Sequence, residues 1–178
     1  VMYSNQGRLE DSEKHYQEAI GKGHVGALNN LALLYYNKNI KVQDANDLID
    51  HYLTKKPDDQ VALAVQAILN LWAGNLAVFH KQQETLLQKI TADNIENLNW
   101  YIGNLLIHKQ YHLTLQVFEE SDKRLAMKEK LKPVWYAALQ LADTQDKRLL
   151  QMPPEIAENM NDVLQEIHER QEVYYGSK

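Results

Sequence analysis

The sequence predicts an all-α array of stacked helical hairpins closed by a C-terminal capping helix. Three observations carry that prediction. Apolar residues recur at three- and four-residue spacing over almost all of the 178 residues, the signature of amphipathic helices. Seven Gly, four Pro and few alternating β-branched runs leave little room for a sheet. A pattern of a small residue, a large one four later and another three beyond returns at a period near 34 residues. It is read in Ser12, Tyr16 and Ala19, then Ala45, Ile49 and Tyr52, then less cleanly in Phe79, Gln83 and Leu86, and in Thr114, Phe118 and Ser121. A period of that length marks stacked two-helix units, none of which can bury its apolar face alone.

The elements follow in order. The first unit, 1–23, is expected to have a truncated leading helix, only Val1 to Gln6, before a joint at Gly7. The second, 24–57, has helix-like runs on either side of Asn37-Lys38-Asn39 and closes at Lys56-Pro57-Asp58-Asp59. The third, 58–92, turns at Ala73-Gly74-Asn75, and the fourth, 93–122, turns at Lys109-Gln110-Tyr111. Gly and Asn end helices, whereas Asp, Asn and Thr start them. These four units make a repeat array over 1–122, and 123–178 forms a helical extension and cap. In that extension Leu131, Val134, Trp135, Ala138, Leu139 and Ala142 form an apolar stripe, and Asp143 to Leu150 is expected to form a short helix. Pro153-Pro154-Glu155 opens a last amphipathic helix along Ile156, Met160, Val163, Leu164, Ile167 and Tyr174. Its polar side meets water, or the helix docks into the groove of its own array or onto a second chain.

A composition that is 44% hydrophobic suffices for a substantial core. With 19 Lys+Arg against 24 Asp+Glu the net charge is −5, which disfavours nucleic acid as a partner. The absence of cysteine excludes disulfides, thiolate metal sites and a catalytic thiol, and fits a cytoplasmic protein. Val61 to Phe79 carries no charge and approaches the length of a membrane span. Gln66, Asn70 and the Gly74-Asn75 turn interrupt it, so no membrane partner is expected. The first residue is Val and the first unit is expected to lack most of its leading helix, so the chain is expected to be a fragment of an array that continues upstream.

Leu31, Ala32 and Tyr35 in a first helix, Ala45, Ile49 and Tyr52 in a second, and Pro57 at the end of the unit resemble the tetratricopeptide repeat family. Lys22-Gly23-His24, Ala27, Asn30-Leu31-Ala32 and Tyr35 also resemble its Sel1-like branch. The pattern departs from the family where Ala32 and Ala67 replace Gly and where Phe79 replaces Ala. The resemblance implies a right-handed α-solenoid that binds a partner peptide or helix on a concave wall built from the first helix of each hairpin. Carried over by register, that wall consists of Asn29, Asn30, Leu33, Tyr36 and Asn37, then Ile68 and Trp72, then Trp100, Tyr101, Asn104 and His108. Asn can pair with a peptide backbone, and Tyr and Trp bring contact area with few rotatable bonds. The family's clamp for a C-terminal carboxylate is not expected: Asn30 holds one of its positions, but Val61 and Val65 stand where cations should be.

Chemistry is not legible. Of seven histidines, only His108 and His112 share i, i+4 spacing, and they straddle a joint without a carboxylate to complete a shell. The remaining histidines, His24 and His51 among them, are scattered. Gly21-Lys22-Gly23-His24 lacks the preceding strand and the ending of a phosphate loop, so it reads as an inter-unit turn. The basic stretch Lys123, Arg124, Lys128, Lys130 and Lys132 reads as a solvated helix end. The expectation is a protein-interaction scaffold that is not an enzyme and needs neither cofactor nor metal. The alternatives are the C-terminal recognition array of a larger signalling or NTP-hydrolysing protein, or a self-assembling homo-oligomeric array. A stand-alone enzyme working with carboxylates and histidines is the reading of a different class.

Overall fold

In a computed structural model the described residues are 2–176, with the side chains of 2–6 and of Asn94 left aside. Ten α-helices and two short 3₁₀ turns make up their regular structure, and no strand occurs among them. The helices are α1 (Met2–Gly21), α2 (Gly26–Lys38), α3 (Val42–Lys55), α4 (Gln60–Trp72), α5 (Leu76–Lys89), α6 (Ile95–Ile107), α7 (Tyr111–Leu125), α8 (Met127–Lys130), α9 (Lys132–Ala142) and α10 (Pro154–Tyr175). No described helix is long and apolar enough to cross a membrane, and the uncharged Val61–Phe79 stretch is broken after Trp72, where Gly74 takes φ +80°.

The hairpins recur in backbone detail. Helices α2, α4 and α6 are each 13 residues long and begin at Gly26, Gln60 and Ile95, steps of 34 and 35. Their partners α3, α5 and α7 begin at Val42, Leu76 and Tyr111, with the same two steps. Each first helix ends on a residue of positive φ, Asn39, Gly74 and Lys109, placed 35 apart. At each of these ends the following N–H reaches back five residues, Ile40 to the Tyr35 carbonyl, Asn75 to Asn70 and Gln110 to Leu105, at 3.0, 2.8 and 2.9 Å. This is the Schellman closure, which satisfies carbonyls a helix end leaves orphaned. Gly supplies the left-handed conformation without strain, and Asn pays little for it.

By contacts the chain divides into two compact units, Val1–Leu86 and Leu87–Lys178. In the first, α2 packs on α1, α3 and α4, and α3 packs on α4. Its core holds Leu31, Ala32, Ala45, Ile49, Ala62, Ala67, Ile68 and Phe79, all at most 2% exposed. The Ala residues at these crossings bring the helix backbones close, while burial of each large side chain stabilises by about 1.5–3 kcal/mol. A bond from the Tyr35 hydroxyl to Glu13 (2.7 Å) and an ion pair from Lys41 to the same carboxylate tie α1 to the end of the α2–α3 hairpin. Lys41 foremost, and then Tyr35, hold the Glu13 carboxyl below its ordinary range. Asp59 caps α4 by accepting from the Ala62 amide at 3.0 Å, and Tyr52 orients it from α3 at 2.6 Å.

In the second unit α7 packs on α6 and α9, and α10 packs on both α9 and α6. Tyr136, Ala137, Leu139 and Met160 form the inner cluster between α9 and α10, surrounded by Leu115, Trp135, Leu149, Met152, Ile156, Val163 and Leu164. Pro154 at the first turn starts α10 without losing a hydrogen bond.

Three sequence expectations change. Helix α1 runs unbroken through Gly7, so there is no joint at that residue; a single Gly inside a helix costs only about 1 kcal/mol, which the rest of a 20-residue helix absorbs. Asp143–Leu150 is not an α-helix. Asp143 leaves α9 in an extended conformation, and a 3₁₀ segment covers Lys147–Gln151, started by the Asp146 carboxylate accepting from the Arg148 amide. The basic stretch is largely engaged within the chain: Arg124 donates to the carbonyls of Leu87 and Ile90, Lys128 pairs with Glu119 and Lys132 with Glu129.

Candidate partner-binding surface

The wall residues meet two different fates. On α2 in the first unit, Asn30 and Asn37 are exposed, and Asn29 and Leu33 are half-buried. The Oδ1 of Asn29 is buried with no hydrogen-bond partner, an acceptor left unsatisfied at a cost of about 1–3 kcal/mol. Tyr36 is buried instead, at 1% exposure, and so is Ile68. Trp72 stands half-buried at the end of α4, its ring edge-on to Tyr36 (centroids 5.5 Å apart). Its indole N–H donates to the Asn39 side chain at 3.0 Å. Tyr36 and Trp72 therefore hold α2 to α4, and the open part of this surface is the amide row of α2 with Leu33.

On α6 and the turn that follows it in the second unit, the wall residues are mostly closed off. Tyr101, Asn104 and His108 are at most 6% exposed, and Trp100 is half-buried. The Asn104 amide is turned back onto the Trp100 carbonyl at 2.8 Å. A guest peptide could not pair with these side chains as they stand; burial is the physical reason that Tyr36, Tyr101, Asn104 and His108 do not form a ready docking face. What covers His108 is the last part of α10. The Tyr175 hydroxyl lies 3.0 Å from His108 Nδ1, the Tyr174 ring sits 5.0 Å from the imidazole, and Lys109 lies over the Tyr175 ring. Gln171 donates to the Leu106 carbonyl (2.9 Å) and to the Tyr111 hydroxyl (3.1 Å). Arg170 donates to the Tyr174 hydroxyl at 2.8 Å and orients that ring. Burial, helped by the nearby Arg170 charge, pushes His108 down to about 4, so it is neutral near pH 7. Burial also pushes the Tyr101 phenol far above its ordinary value.

Asn39 and the α10 group of Arg170, Gln171, Tyr174 and Tyr175 were not singled out as site residues by sequence. The Tyr174-Tyr175 pair at the end of an amphipathic helix was the available signal for the latter. For Asn39 the signal was its place 35 residues before Gly74. Among the described residues no group of three or more His, Asp or Glu side chains could hold a metal ion. Comparison with protein-family models, with curated proteins and with solved structures finds no match for this chain.

Proposed function

We propose that the chain is a right-handed α-solenoid of tetratricopeptide-like hairpins with a C-terminal cap, and that it works as a protein-interaction module. Its guest is an extended peptide or a helix of a partner protein. The observation that carries this reading is the threefold recurrence of one helix-ending geometry at Asn39, Gly74 and Lys109, 35 residues apart. Repeated hairpins with repeated joints present equivalent faces in succession, which is how helical repeats build extended binding surfaces. Among the wall residues, the exposed and half-buried set on α2 is the part a guest meets first: Asn29, Asn30, Leu33 and Asn37. Asn30 offers donor and acceptor to a peptide backbone, and Leu33 offers apolar area.

Affinity capture with the full chain, followed by identification of bound proteins, tests the reading. A partner retained by the native chain is expected to be lost on the double substitution Asn30→Ala and Leu33→Ala with helicity unchanged. Tyr36→Ala and Trp100→Ala are poorer probes, because the first empties a buried site and confuses stability with binding. Retention of every partner by the double variant would remove α2 from the binding surface and with it this reading.

A further inference from the structure

Away from the amide row, the first unit holds a cleft of about 270 Å³ lined by Ile20, Gly23, His24, Val25, Leu28, His51 and Lys55. Ile20, Val25 and Leu28 make it apolar, while exposed His24, His51 and Lys55 supply polar donors. The local backbone builds it. Gly23 at φ +84° reverses the chain after α1, with Gly23 N–H donating to the Ile20 carbonyl and His24 N–H to the Ala19 carbonyl. That turn places His24 just before α2, and His51 and Lys55 are four apart and hence on one face of α3.

Among the described residues, no hydrogen bond or ion pair within the chain engages the side chains of His24, His51 or Lys55; other surface cations share that, and what sets this group apart is the lining around it. No Asp or Glu lines the cleft in a chain that carries 24 of them. A Lys and two imidazoles around an apolar floor complement an anion attached to an apolar body. The absence of any carboxylate in the lining, and the presence of Lys, make a metal ion a poor occupant.

We propose that this cleft binds a carboxylate carried on a short aliphatic or aromatic body, the body on Ile20, Val25 and Leu28 and the carboxylate among Lys55, His51 and His24. The volume lies just below the range of about 300–1,000 Å³ for drug-sized sites, so it suits a small ligand. Such chemistry comes from a free organic acid or from the last residue of a peptide. The proposal is independent of the interaction surface on α2 and can hold or fail without it.

Titration of the full chain with phenylacetate, followed by amide and imidazole NMR, tests it. Saturable shifts are expected at Gly23, Gly26 and the His24 and His51 rings, with a dissociation constant on the order of 1 mM. The combined substitutions His51→Gln and Lys55→Met are expected to weaken binding at least about fivefold, a loss of roughly 1 kcal/mol by the same conversion; Lys123→Met, in the other unit, should leave it unchanged. Phenylacetamide, equal in shape but uncharged, should bind at least about fivefold more weakly than phenylacetate. Equal binding of the amide, an unaffected double variant, or no saturable shift at these positions would each overturn the proposal. A short acetylated peptide ending in Leu, as the free acid and as the amide, identifies the source. Tighter binding of the peptide acid than of phenylacetate marks a chain terminus, and the reverse marks a free acid; both support the site.

Discussion

Helix α2 in the first unit and helix α6 in the second have the same length and end in the same backbone closure, yet their ends meet opposite environments. Lys38 and Asn39 at the end of α2 are exposed, whereas His108, just past α6, is buried beneath the end of α10. The hairpin does not make that difference. It comes from the last turns of a 22-residue helix, α10, that packs on α6. A repeat pattern therefore fixes where a wall residue points along its helix, and what lies against it is decided by sequence far away.

The largest way to break the contrast is to weaken α10. Met160, 4% exposed, sits in the cluster with Tyr136, Ala137 and Leu139. Met160→Ala is expected to cost about 2–5 kcal/mol, as for other large-to-small core changes. Hydrogen exchange should then accelerate in α9, α10 and α6 and stay unchanged in α2 and α3. Acceleration spread evenly over both units would show that the chain unfolds as one body and that α10 is not a local cover.

Acid should act in the same direction by a separate route. His108 is held down to about 4 in the folded chain, against about 6.5 for an unfolded histidine. The unfolded state thus takes up a proton first. The stabilisation is complete above pH 6.5 and is lost as pH falls from there towards 4, up to about 3 kcal/mol in all. The groups facing the ring are Arg170, Tyr174, Tyr175 and Lys109. Urea unfolding at pH 7 and pH 4.5 should show the loss, and His108→Gln should reduce the difference between the two. An equal pH difference in that variant would place the sensitive group elsewhere.

These two cases mark what sequence alone can show. The helical class, the joints at Asn39, Gly74 and Lys109, and the start of α10 at Pro154 rest on local rules, namely spacing, helix-ending residues and proline at a first turn, and so were legible. The face of α6 was not. Asn104 and His108 look like groove residues in the repeat register, because spacing says which side of a helix a residue occupies and not what covers it. Gly7 misled for a related reason: a lone glycine reads as a turn only where tertiary packing permits one, and α1 continues through it. The cleft at His24, His51 and Lys55 is not legible in the sequence, because its members lie on a turn and on a separate helix, and only the i, i+4 spacing of His51 and Lys55 points to it.

A smaller effect is expected where the first unit is tied together by polar contacts. Tyr35→Phe removes the hydroxyl that donates to Glu13 at 2.7 Å while leaving the ring and the Lys41 ion pair in place. The loss should be about 1 kcal/mol, the usual net worth of one hydrogen bond, read as a shift in the denaturation midpoint. A loss several times larger would mean that the Tyr35–Glu13–Lys41 group acts as a cooperative network.

The smallest effect on stability belongs to Asn30→Ala, and it sharpens the contrast most. Asn30 is exposed on α2, and surface changes of that kind usually fall within about 0.5 kcal/mol of zero. Asn104→Ala, at a wall position of α6 that stands elsewhere in the repeat, removes a buried side chain that bonds to the Trp100 carbonyl. It should therefore destabilise by more than 1 kcal/mol. Paired measurement of the two variants separates the roles: Asn30→Ala should keep the native midpoint and lose any partner, and Asn104→Ala should lower the midpoint. If the two variants shift the midpoint alike, burial does not separate these two wall positions, and the open amide row loses its claim to be the binding face.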